Sequence, residues 1–481
     1  MQPITPSPRT LPPTVLTIFG MSGNLTQIKL LPALYHLLAQ GMLPAEFAVL
    51  GIFRTSSKDI DHVMQQVEIN LLRSHLNVDP TILAQLRSLI HPVMLDSTDQ
   101  AEYHVLREAL DELDRAKGIK HNRLFYLAIP PTIFGQVMRC LQGAGLHQET
   151  ADSTSRILVE KPFGTDLASA TELVNMMTAI FKEEQIYRID HYLAKENAQN
   201  ILTFRFSNPL IENMWGRHAI DHIQITAAES IGIDSRSNFY EGMGALRDFV
   251  QSHLMQLTAL VMMERPESLT SEAIHAEKLA LLEAVQPIQA AHVEERAVRG
   301  QYATYRSEVN NPNSTTETYA AVALEVTNSR WGGVPVILRT GKALDKQRTE
   351  IKVVFKDRSN RHVPPNVLTI RIQPDEGIAI SLTAKRPGFS DELQPVNMRF
   401  SYQESFDKNA PDAYERVLVD AIAGDQSLFA SSQEVLRCWE IVEPIIQNWN
   451  QHPEQPTVYQ QGSRGPVEAD TLAESFGSEW L

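Results

Sequence analysis

The first 185 or so residues alternate short apolar runs with longer amphipathic stretches. The apolar runs predict buried strands at 15–19, 48–52, 124–129 and 156–159. The amphipathic stretches predict helices near 25–39, 59–75, 100–115, 132–143 and 166–182. Strands that alternate with helices form βαβ units, so this part of the chain is expected to build a parallel sheet.

The pattern changes after Asp190. Strands that look antiparallel are predicted at 220–228, 318–327, 334–339, 350–356, 366–373 and 377–384. Helices are predicted at about 243–263, 270–283, 412–424 and 431–448. Because 481 residues exceed the usual limit for one hydrophobic core, we expect two domains. The expected division is a Pro-rich extended tail at 1–13, an α/β domain at 14–190 and an α+β domain at 191–481.

Composition and charge exclude several classes of protein. The formal net charge of −15 argues against nucleic acid as a partner, because phosphates would be repelled. The charge still allows a small anionic substrate if cations are concentrated at its site. No uncharged apolar run of about 18 residues occurs, so no membrane span is expected.

The chain's beginning and its cysteines indicate the compartment. The first thirteen residues lack the apolar core of a signal peptide, so we expect a cytoplasmic protein. Cys140 and Cys438 fit a reducing environment, and two idle thiols are favoured over a disulfide. No zinc-ligand spacing is present, so no metal is expected.

Residues 187–196, Y-R-I-D-H-Y-L-A-K-E, concentrate polar and charged side chains. A helix that began near Asp190 would place His191 and Lys195 four residues apart on one face. Two cationic donors beside the Tyr192 phenol suit a phosphomonoester, and Asp190 could then orient another group. A polar helix start between two domains is the alternative interpretation.

A loop with two glycines follows the first predicted strand and opens a helix. It contains Gly20, Ser22, Gly23, Asn24 and Leu25. Glycines allow the backbone to approach a pyrophosphate, and the helix N-terminus supplies amide donors. The third glycine of the usual fingerprint is replaced by Thr26, so an ordinary strand–turn–helix connection remains an alternative.

Arg54 stands at the end of the second predicted strand, followed by Thr55 and Ser56. An NAD site would place a carboxylate there for the ribose 2′-hydroxyl, whereas an arginine with hydroxyls suits the 2′-phosphate of NADP. A solvated loop arginine is the alternative.

Two further segments follow predicted strands of the first domain. Pro130 belongs to A-I-P-P at 128–131, where a proline pair could simply end a strand. Lys161 belongs to E-K-P-F-G at 160–164, at the strand end where ligands bind in open parallel sheets. The peptide bond before Pro162 could be cis or trans.

His253 lies in a helical pattern whose apolar positions include Leu246, Phe249 and Leu257. A histidine oriented by a carboxylate can act as a general base near neutral pH. From the apolar stripe alone, a buried structural histidine is the stronger interpretation.

Several long motifs resemble those of the glucose-6-phosphate dehydrogenase family, in matching order and spacing from about residue 15 to 481. The Y-R-I-D-H-Y-L-A-K-E segment departs from the family pattern only at Ala194, where the family has Gly. The others are I-F-G-M-S-G-N-L at 18–25, E-K-P-F-G at 160–164, G-A-L-R-D-F-V-Q-S-H-L at 244–254, R-W-G-G-V-P at 330–335, R-T-G-K-A-L at 339–344 and P-D-A-Y-E-R at 411–416.

The resemblance implies NADP-dependent oxidation of D-glucose 6-phosphate at C1 to 6-phospho-D-glucono-1,5-lactone, the entry step of the oxidative pentose phosphate pathway. It implies a Rossmann-type dinucleotide-binding domain and a larger domain for substrate binding and for assembly into a homodimer or homotetramer. It makes His253 the general base and Asp190 its orienting carboxylate. The implied substrate contacts are Lys161, which also touches the nicotinamide, His191, Tyr192 and Lys195 at the 6-phosphate, Glu229, Asp248 and Lys342. The implied NADP contacts are the glycine loop, Arg54, Pro130 and Lys161.

One departure keeps other functions open. The family often has a cation five positions after the lysine of R-T-G-K, and here Gln347 stands there between Lys346 and Arg348. A relative that oxidises another C6-substituted hexose is therefore an alternative. A non-catalytic regulatory or assembly subunit is a third hypothesis, but it would not need Asp190, His253 and Lys161 together.

Overall fold

A computed structural model describes residues 11–54, 59–73, 78–233, 237–357, 363–402, 404 and 411–481. The chain forms two compact units. The first comprises the described residues of Met1–Phe163, Thr171–Ala194 and Pro411–Ser432; the second comprises those of Gly164–Ala170, Lys195–Ala410 and Gln433–Leu481.

The expected contiguous division at 190/191 differs from these units in three stretches. Residues 411–432 and 191–194 belong to the first unit, and residues 164–170 belong to the second. The physical reason for the first difference is packing. Helix Ala413–Ala423 buries Val417, Leu418 and Ile422 in the same hydrophobic core as the first strands of the chain.

The first unit contains a six-stranded parallel sheet. Its strands are β1 (Thr14–Phe19), β2 (Phe47–Phe53), β3 (Ile90–Met94), β4 (Asn122–Leu127), β5 (Ser155–Val159) and β6 (Ile186–Arg188), in the order β3-β2-β1-β4-β5-β6. Its helices are Thr26–Leu30 continuing as Leu31–Ala39, then Asp59–Arg73, Pro80–Leu89, Tyr103–Lys117, Phe134–Gly143, most of Leu167–Thr178, and Ala413–Ala423. The four predicted strands and the parallel sheet are confirmed.

Apolar residues on both faces explain why this sheet is fully covered. Along β1, Leu16 and Ile18 belong to one core cluster, whereas Val15 and Phe19 belong to the cluster on the opposite face. Successive side chains of a strand point to opposite faces, so a continuous apolar run requires helices on both sides.

The second unit is built on a nine-stranded sheet. Its strands are β7 (Ile220–Ala228), β8 (Ala297–Tyr302), β9 (Tyr319–Leu324), β10 (Val336–Gly341), β11 (Arg348–Phe355), β12 (Val367–Gln373), β13 (Gly377–Lys385), β14 (Leu393–Ser401) and β15 (Thr457–Tyr459). Their order is β14-β13-β12-β11-β7-β10-β9-β8-β15. The sheet is mostly antiparallel, with parallel pairs β7–β10 and β8–β15.

Helices accompany this sheet. They are Glu196–Phe206, Pro209–Glu212, Ser237–Tyr240, Leu246–Leu254 continuing as Met255–Met262, Ser271–Ala284, Val293–Arg296, Tyr305–Glu308, Ser432–Gln451 and Val467–Ser475. Glu434 and Lys278 form a fully buried ion pair of 2.7 Å between two of them. His275 Nδ1 lies 2.6 Å from the other oxygen of Glu434.

Cys140 and Cys438 are both buried and are not joined in a disulfide. Across the described part of the chain, none of the helices combines the length and the apolar character that a membrane crossing needs.

Candidate functional site

The segment after β6 is a turn, which corrects the helical arrangement expected for His191 and Lys195. Asp190 Oδ1 accepts hydrogen bonds from the amides of Tyr192 and Leu193, at 2.9 and 3.4 Å. A carboxylate that caps nearby amides stabilises a turn in place of a continuing helix. Lys195 then has an extended backbone (φ −69°, ψ 138°), and the helix begins only at Glu196.

The first unit surrounds His191 with two groups that sequence reasoning did not assign. His191 Nε2 lies 3.3 Å from Glu160 Oε2 and 3.1 Å from the Tyr414 hydroxyl. The rings of His191 and Tyr414 are 4.7 Å apart between centroids. His191 Nδ1 is buried and has no hydrogen-bond partner within the described residues. The imidazole is therefore held on one side, and its other nitrogen has unused hydrogen-bonding capacity.

Glu160 is itself held by a buried phenol. The Tyr126 hydroxyl, on β4, donates to Glu160 Oε1 at 2.5 Å. Burial, with the Glu160 carboxylate adding to it, raises the pKa of Tyr126 well above its usual value, so this phenol stays a donor. Glu160 precedes Lys161, so the E-K-P-F-G motif contributes a second polar residue beside the predicted lysine.

Tyr414 is positioned by its own helix. The P-D-A-Y-E-R motif starts helix Ala413–Ala423, where Asp412 Oδ1 accepts the Tyr414 amide at 2.9 Å. The P-D-A-Y-E-R motif was a sequence signal for Tyr414. The sequence did not show that His191 would be the partner of Tyr414.

The glycine loop lies at the carboxyl end of β1. Gly20 has φ +87°, and a Cβ there would collide with the Ala128 carbonyl oxygen, so only glycine fits. The Thr26 hydroxyl donates to the Gly20 carbonyl at 3.0 Å, which explains how threonine replaces the third glycine. Ser22 and Asn24 are exposed, and Gly23 and Leu25 are half-buried.

The loop is placed where an open parallel sheet binds ligands. In the order β3-β2-β1-β4-β5-β6, the strand sequence reverses between β1 and β4. The carboxyl ends on either side of such a reversal form a crevice that suits a dinucleotide. Pro130 follows β4 and adopts an extended conformation (φ −60°, ψ 140°) at this edge. The residues present therefore fit a dinucleotide.

Arg54 and Lys161 both lie at the carboxyl edge of the parallel sheet, after β2 and β5, with β1 and β4 between these strands. Arg54 comes directly after β2 and is exposed. Thr55 and Ser56, the predicted hydroxyl partners of Arg54, lie outside the described residues. Lys161 follows β5, is half-buried, and forms a cis peptide bond with Pro162.

The second unit brings together several predicted substrate residues. Lys342, after β10, forms an ion pair with Glu229, which follows β7. These strands are parallel neighbours, so residues after their carboxyl ends meet at one edge. The Lys342 ammonium also lies 5.0 Å from the Tyr240 ring centroid and 5.8 Å from that of Phe249.

His253 is buried in helix Leu246–Leu254, only 4% exposed. The ring of Phe249, one turn earlier, meets the imidazole edge-on at a centroid distance of 5.5 Å. This helix has π-helical hydrogen bonding, as does Thr26–Leu30, and such segments are frequent at functional sites. Asp248 is half-buried in the same helix.

The start of that helix is fixed by a buried carboxylate. Glu317 Oε1 accepts the Leu246 amide at 3.0 Å, and the Glu317 carbonyl accepts the Ala245 amide at 2.9 Å. Burial raises the pKa of Glu317. Glu317 was not predicted from the sequence.

Lys195 has neighbours of its own within the second unit. Asn197 Nδ2 donates to the Arg371 carbonyl on β12, which fixes the start of helix Glu196–Phe206. Burial raises the pKa of Glu376, and the positive charge of Lys195 opposes this shift, so the two side chains are electrostatic neighbours.

No group of three or more His, Cys, Asp or Glu side chains with metal-binding geometry occurs among the residues that the structure describes.

These two units define the class of the protein. A Rossmann-type sheet with a glycine loop at its switch point, joined to an α+β unit with a buried histidine and a lysine–carboxylate pair, is typical of nicotinamide-dependent oxidoreductases.

Comparison with known proteins identifies the family. The family models described as "Glucose-6-phosphate dehydrogenase, NAD binding domain" and "Glucose-6-phosphate dehydrogenase, C-terminal domain" match residues 17–200 and 202–481. The chain therefore belongs to the glucose-6-phosphate dehydrogenase family.

Individual relatives are similar over nearly their whole length. A glucose-6-phosphate 1-dehydrogenase of Chlamydia muridarum is 42% identical, with 98% of this chain and 97% of the relative covered. That of Bacillus subtilis is 38% identical, with 98% of each covered. A solved glucose-6-phosphate dehydrogenase in complex with its substrate glucose-6-phosphate superposes with a TM-score of 0.90 at 32% identity, covering 98% of this chain and 99% of that structure.

Proposed function

We propose that this protein oxidises D-glucose 6-phosphate at C1 with NADP and releases 6-phospho-D-glucono-1,5-lactone. The observation that carries the proposal is the arrangement in the second unit, where a buried histidine contacts the same aromatic ring as the lysine of a lysine–carboxylate pair. Full-length similarity to glucose-6-phosphate 1-dehydrogenases supports it.

In this proposal His253 takes the proton of the C1 hydroxyl. Its buried setting excludes bulk water, and Asp190 orients the imidazole and stabilises its protonated form. NADP, which the glycine loop and Lys161 would hold, would supply the acceptor for the hydride of C1. Lys161 contacts both the sugar hydroxyl and the nicotinamide, while Glu229 and Asp248 accept hydrogen bonds from sugar hydroxyls.

His191, Tyr192 and Lys195 would hold the 6-phosphate. In the imidazolium form both ring nitrogens of His191 carry a proton, so Nδ1, which has no partner among the described residues, would donate to the phosphate while Nε2 faces Glu160 and Tyr414. A phosphate dianion needs fixed positive charge, because leaving it unpaired after desolvation is costly.

Gln347, where the family often has a cation, is the observation that favours a second candidate, oxidation of a different C6-substituted hexose. Of its two cationic neighbours, Arg348 pairs with Glu350 at 3.3 Å, whereas Lys346 is exposed. Lys346 would therefore supply the missing charge if the substrate is glucose 6-phosphate, and this keeps glucose 6-phosphate as the first candidate.

The substrate panel that tests the proposal contains glucose 6-phosphate, glucose, galactose 6-phosphate and a sulfonated hexose, each with NADP and with NAD. A clear preference for glucose 6-phosphate with NADP supports the proposal. Equal use of glucose, or preference for another substituted hexose, would reject it in favour of the second candidate.

We also propose a cytoplasmic homodimer or homotetramer that assembles through the second unit. Edge strand β14 exposes Val396 and Met398, which are 36% and 64% accessible. These two residues are two positions apart, so their side chains lie on the same face of the strand. Exposed apolar positions on an edge strand favour association. Light scattering of wild type and Met398→Asp tests this assignment, and unchanged oligomer mass in the variant contradicts it.

A further inference from the structure

The ammonium of Lys342 is held by more than its carboxylate partner. Its Nζ pairs with Glu229 and lies 5.0 Å from the centroid of the Tyr240 ring and 5.8 Å from that of Phe249. Tyr240 and Phe249 are 3% and 7% exposed. An ammonium near aromatic faces is attracted by the ring quadrupole, and the attraction grows where water is excluded.

The backbone of Lys342 is fixed independently of these rings. Its amide donates to the Thr318 carbonyl at 2.9 Å, and its carbonyl accepts the Tyr459 hydroxyl at 2.6 Å. A lysine side chain has a flexible four-carbon stem, so a fixed backbone alone does not determine where the ammonium lies. Glu229 and the two rings supply the missing constraint.

Phe249 also connects the lysine to the histidine. The same ring that lies near the Lys342 ammonium meets the His253 imidazole at 5.5 Å and an interplanar angle of 72°. A shift of the Phe249 ring would therefore change the contacts of both the Lys342 ammonium and the His253 imidazole.

Tyr240 acts through its ring. Its hydroxyl is buried and has no hydrogen-bond partner within the described part of the chain. Burial, together with the carboxylates of Asp248 and Glu317, raises its pKa well above the usual value, so the phenol stays neutral. Tyr240→Phe would therefore remove an unpartnered hydroxyl and keep the aromatic face.

We propose that Tyr240 and Phe249 form an aromatic cage that positions the Lys342 ammonium for the sugar substrate. They are positioning residues that act through Lys342. The proposal rests on the proposed function for the role of Lys342, but the cage itself is a property of the folded chain that can be measured without substrate.

The first test measures the reactivity of Lys342 toward acetic anhydride by mass spectrometry, with exposed Lys346 as the internal reference. The two rings attract the ammonium and cover it from solvent, so Tyr240→Leu should acetylate Lys342 about 5- to 30-fold faster, the range of a partly desolvated cation–π contact. Tyr240→Phe should acetylate at the wild-type rate. Equal rates in wild type and Tyr240→Leu, or equally raised rates in both variants, overturn the cage.

The second test is a double-mutant cycle on kcat/KM for glucose 6-phosphate. Tyr240→Leu should lower this value about 5- to 30-fold in the wild-type background and less than about twofold in Lys342→Ala. Tyr240→Phe should remain within about twofold of wild type. A loss that is the same in both backgrounds shows a structural role for Tyr240 and contradicts the proposal.

The experiments distinguish failure of the proposed function from failure of the proposed aromatic cage. A wild-type enzyme that does not oxidise glucose 6-phosphate but shows the expected acetylation pattern rejects the proposed function and keeps the cage. If Tyr240→Leu fails to fold, as judged by its melting temperature, Phe249→Leu replaces it with the same expected acetylation increase, and an unchanged rate in that variant overturns the cage.

Discussion

At the residue scale, Asp190 has one observed role in the turn and one proposed role in catalysis, and the two can be separated by mutation. Its Oδ1 caps the turn through the amides of Tyr192 and Leu193, and its charge is proposed to orient His253. Asparagine keeps an acceptor oxygen but removes the charge. Asp190→Asn should therefore keep a melting temperature close to wild type while lowering kcat by about one to two orders of magnitude.

Steady-state kinetics with calorimetry check this expectation. An unchanged kcat would make Asp190 a structural cap only. A large fall in melting temperature with unchanged kcat would give the same answer.

Arg54 is expected to select the cofactor. It is exposed after β2, and a charge-assisted bidentate contact to the 2′-phosphate exists only with NADP. Arg54→Ala should raise KM for NADP by about one to two orders of magnitude and leave NAD kinetics nearly unchanged. Arg87→Ala, which removes a surface arginine paired with Asp61, is the matched control and should change neither. Equal losses with both cofactors would assign Arg54 to the fold or to the shared pyrophosphate.

Lys195 is expected to select the phosphorylated sugar. Lys195→Ala should weaken kcat/KM for glucose 6-phosphate by about 2–4 kcal/mol, the scale of a broken buried charge contact, and should affect glucose much less. The ratio of kcat/KM for the two sugars is the measurement. If the preference for the phosphorylated sugar survives, the phosphate is held elsewhere, and Lys346→Ala becomes the next variant.

Candidate site residues could be predicted from the sequence where they lie in a long motif. The side-chain contacts between those residues could not be predicted. His253 and Lys342 were predicted from their motifs, but the aromatic ring near both of them became visible only in the structure. The helical pairing of His191 with Lys195 was wrong because one carboxylate, Asp190, caps a turn there. Such local competition between side chain and backbone is invisible to apolar periodicity.

At the element scale, the elements missed by the sequence prediction had weak patterns. Strand β3 reads I-H-P-V-M, where His91 and Pro92 interrupt the apolar run, and β6 has only three residues. Strand β14 was missed because most of its side chains are exposed on both faces. Strong apolar runs such as β1 and β2 were predicted to within two residues, since burial alone specifies them.

The buried ion pair between helices Ser271–Ala284 and Ser432–Gln451 gives an acid-stability prediction. Burial would raise the pKa of Glu434, but the Lys278 ammonium and the His275 hydrogen bond outweigh it and lower the pKa to about 2. A carboxylate with a depressed folded-state pKa stabilises the fold above its unfolded-state pKa of about 4.3, and this stabilisation is lost as the pH falls toward 2.

Glu434→Gln tests this prediction by calorimetry between pH 7 and pH 2. The variant should be less stable than wild type at pH 7 by about 3–5 kcal/mol, because Lys278 is left buried without its partner. The difference should shrink as the pH falls below about 4.3. Glu392→Gln, which breaks an exposed pair with Arg386, should cost less than about 1 kcal/mol. A difference that is independent of pH would show that the Glu434 charge does not contribute.

At the scale of the whole molecule, two units carry different parts of the proposed chemistry. The first unit supplies the glycine loop, Arg54 and Asp190, and the second supplies His253 and the Lys342–Glu229 pair. The fold classes of both units were predictable from the change in pattern after Asp190. The sequence did not predict that residues 411–432 belong to the first unit. An amphipathic pattern shows that helix Ala413–Ala423 has an apolar face, but it does not show which hydrophobic core that face joins.

The most direct test of the proposed function is the turnover of His253→Asn with glucose 6-phosphate and NADP, followed as NADPH absorbance. Wild type should turn over the substrate, and the variant should lose about two to four orders of magnitude in kcat with a smaller change in KM, because the imidazole acts as the hydride leaves. His218→Asn, which removes an exposed histidine of the same unit, should retain wild-type kcat. A folded His253→Asn protein with near-wild-type kcat would contradict the assignment of His253 as the base.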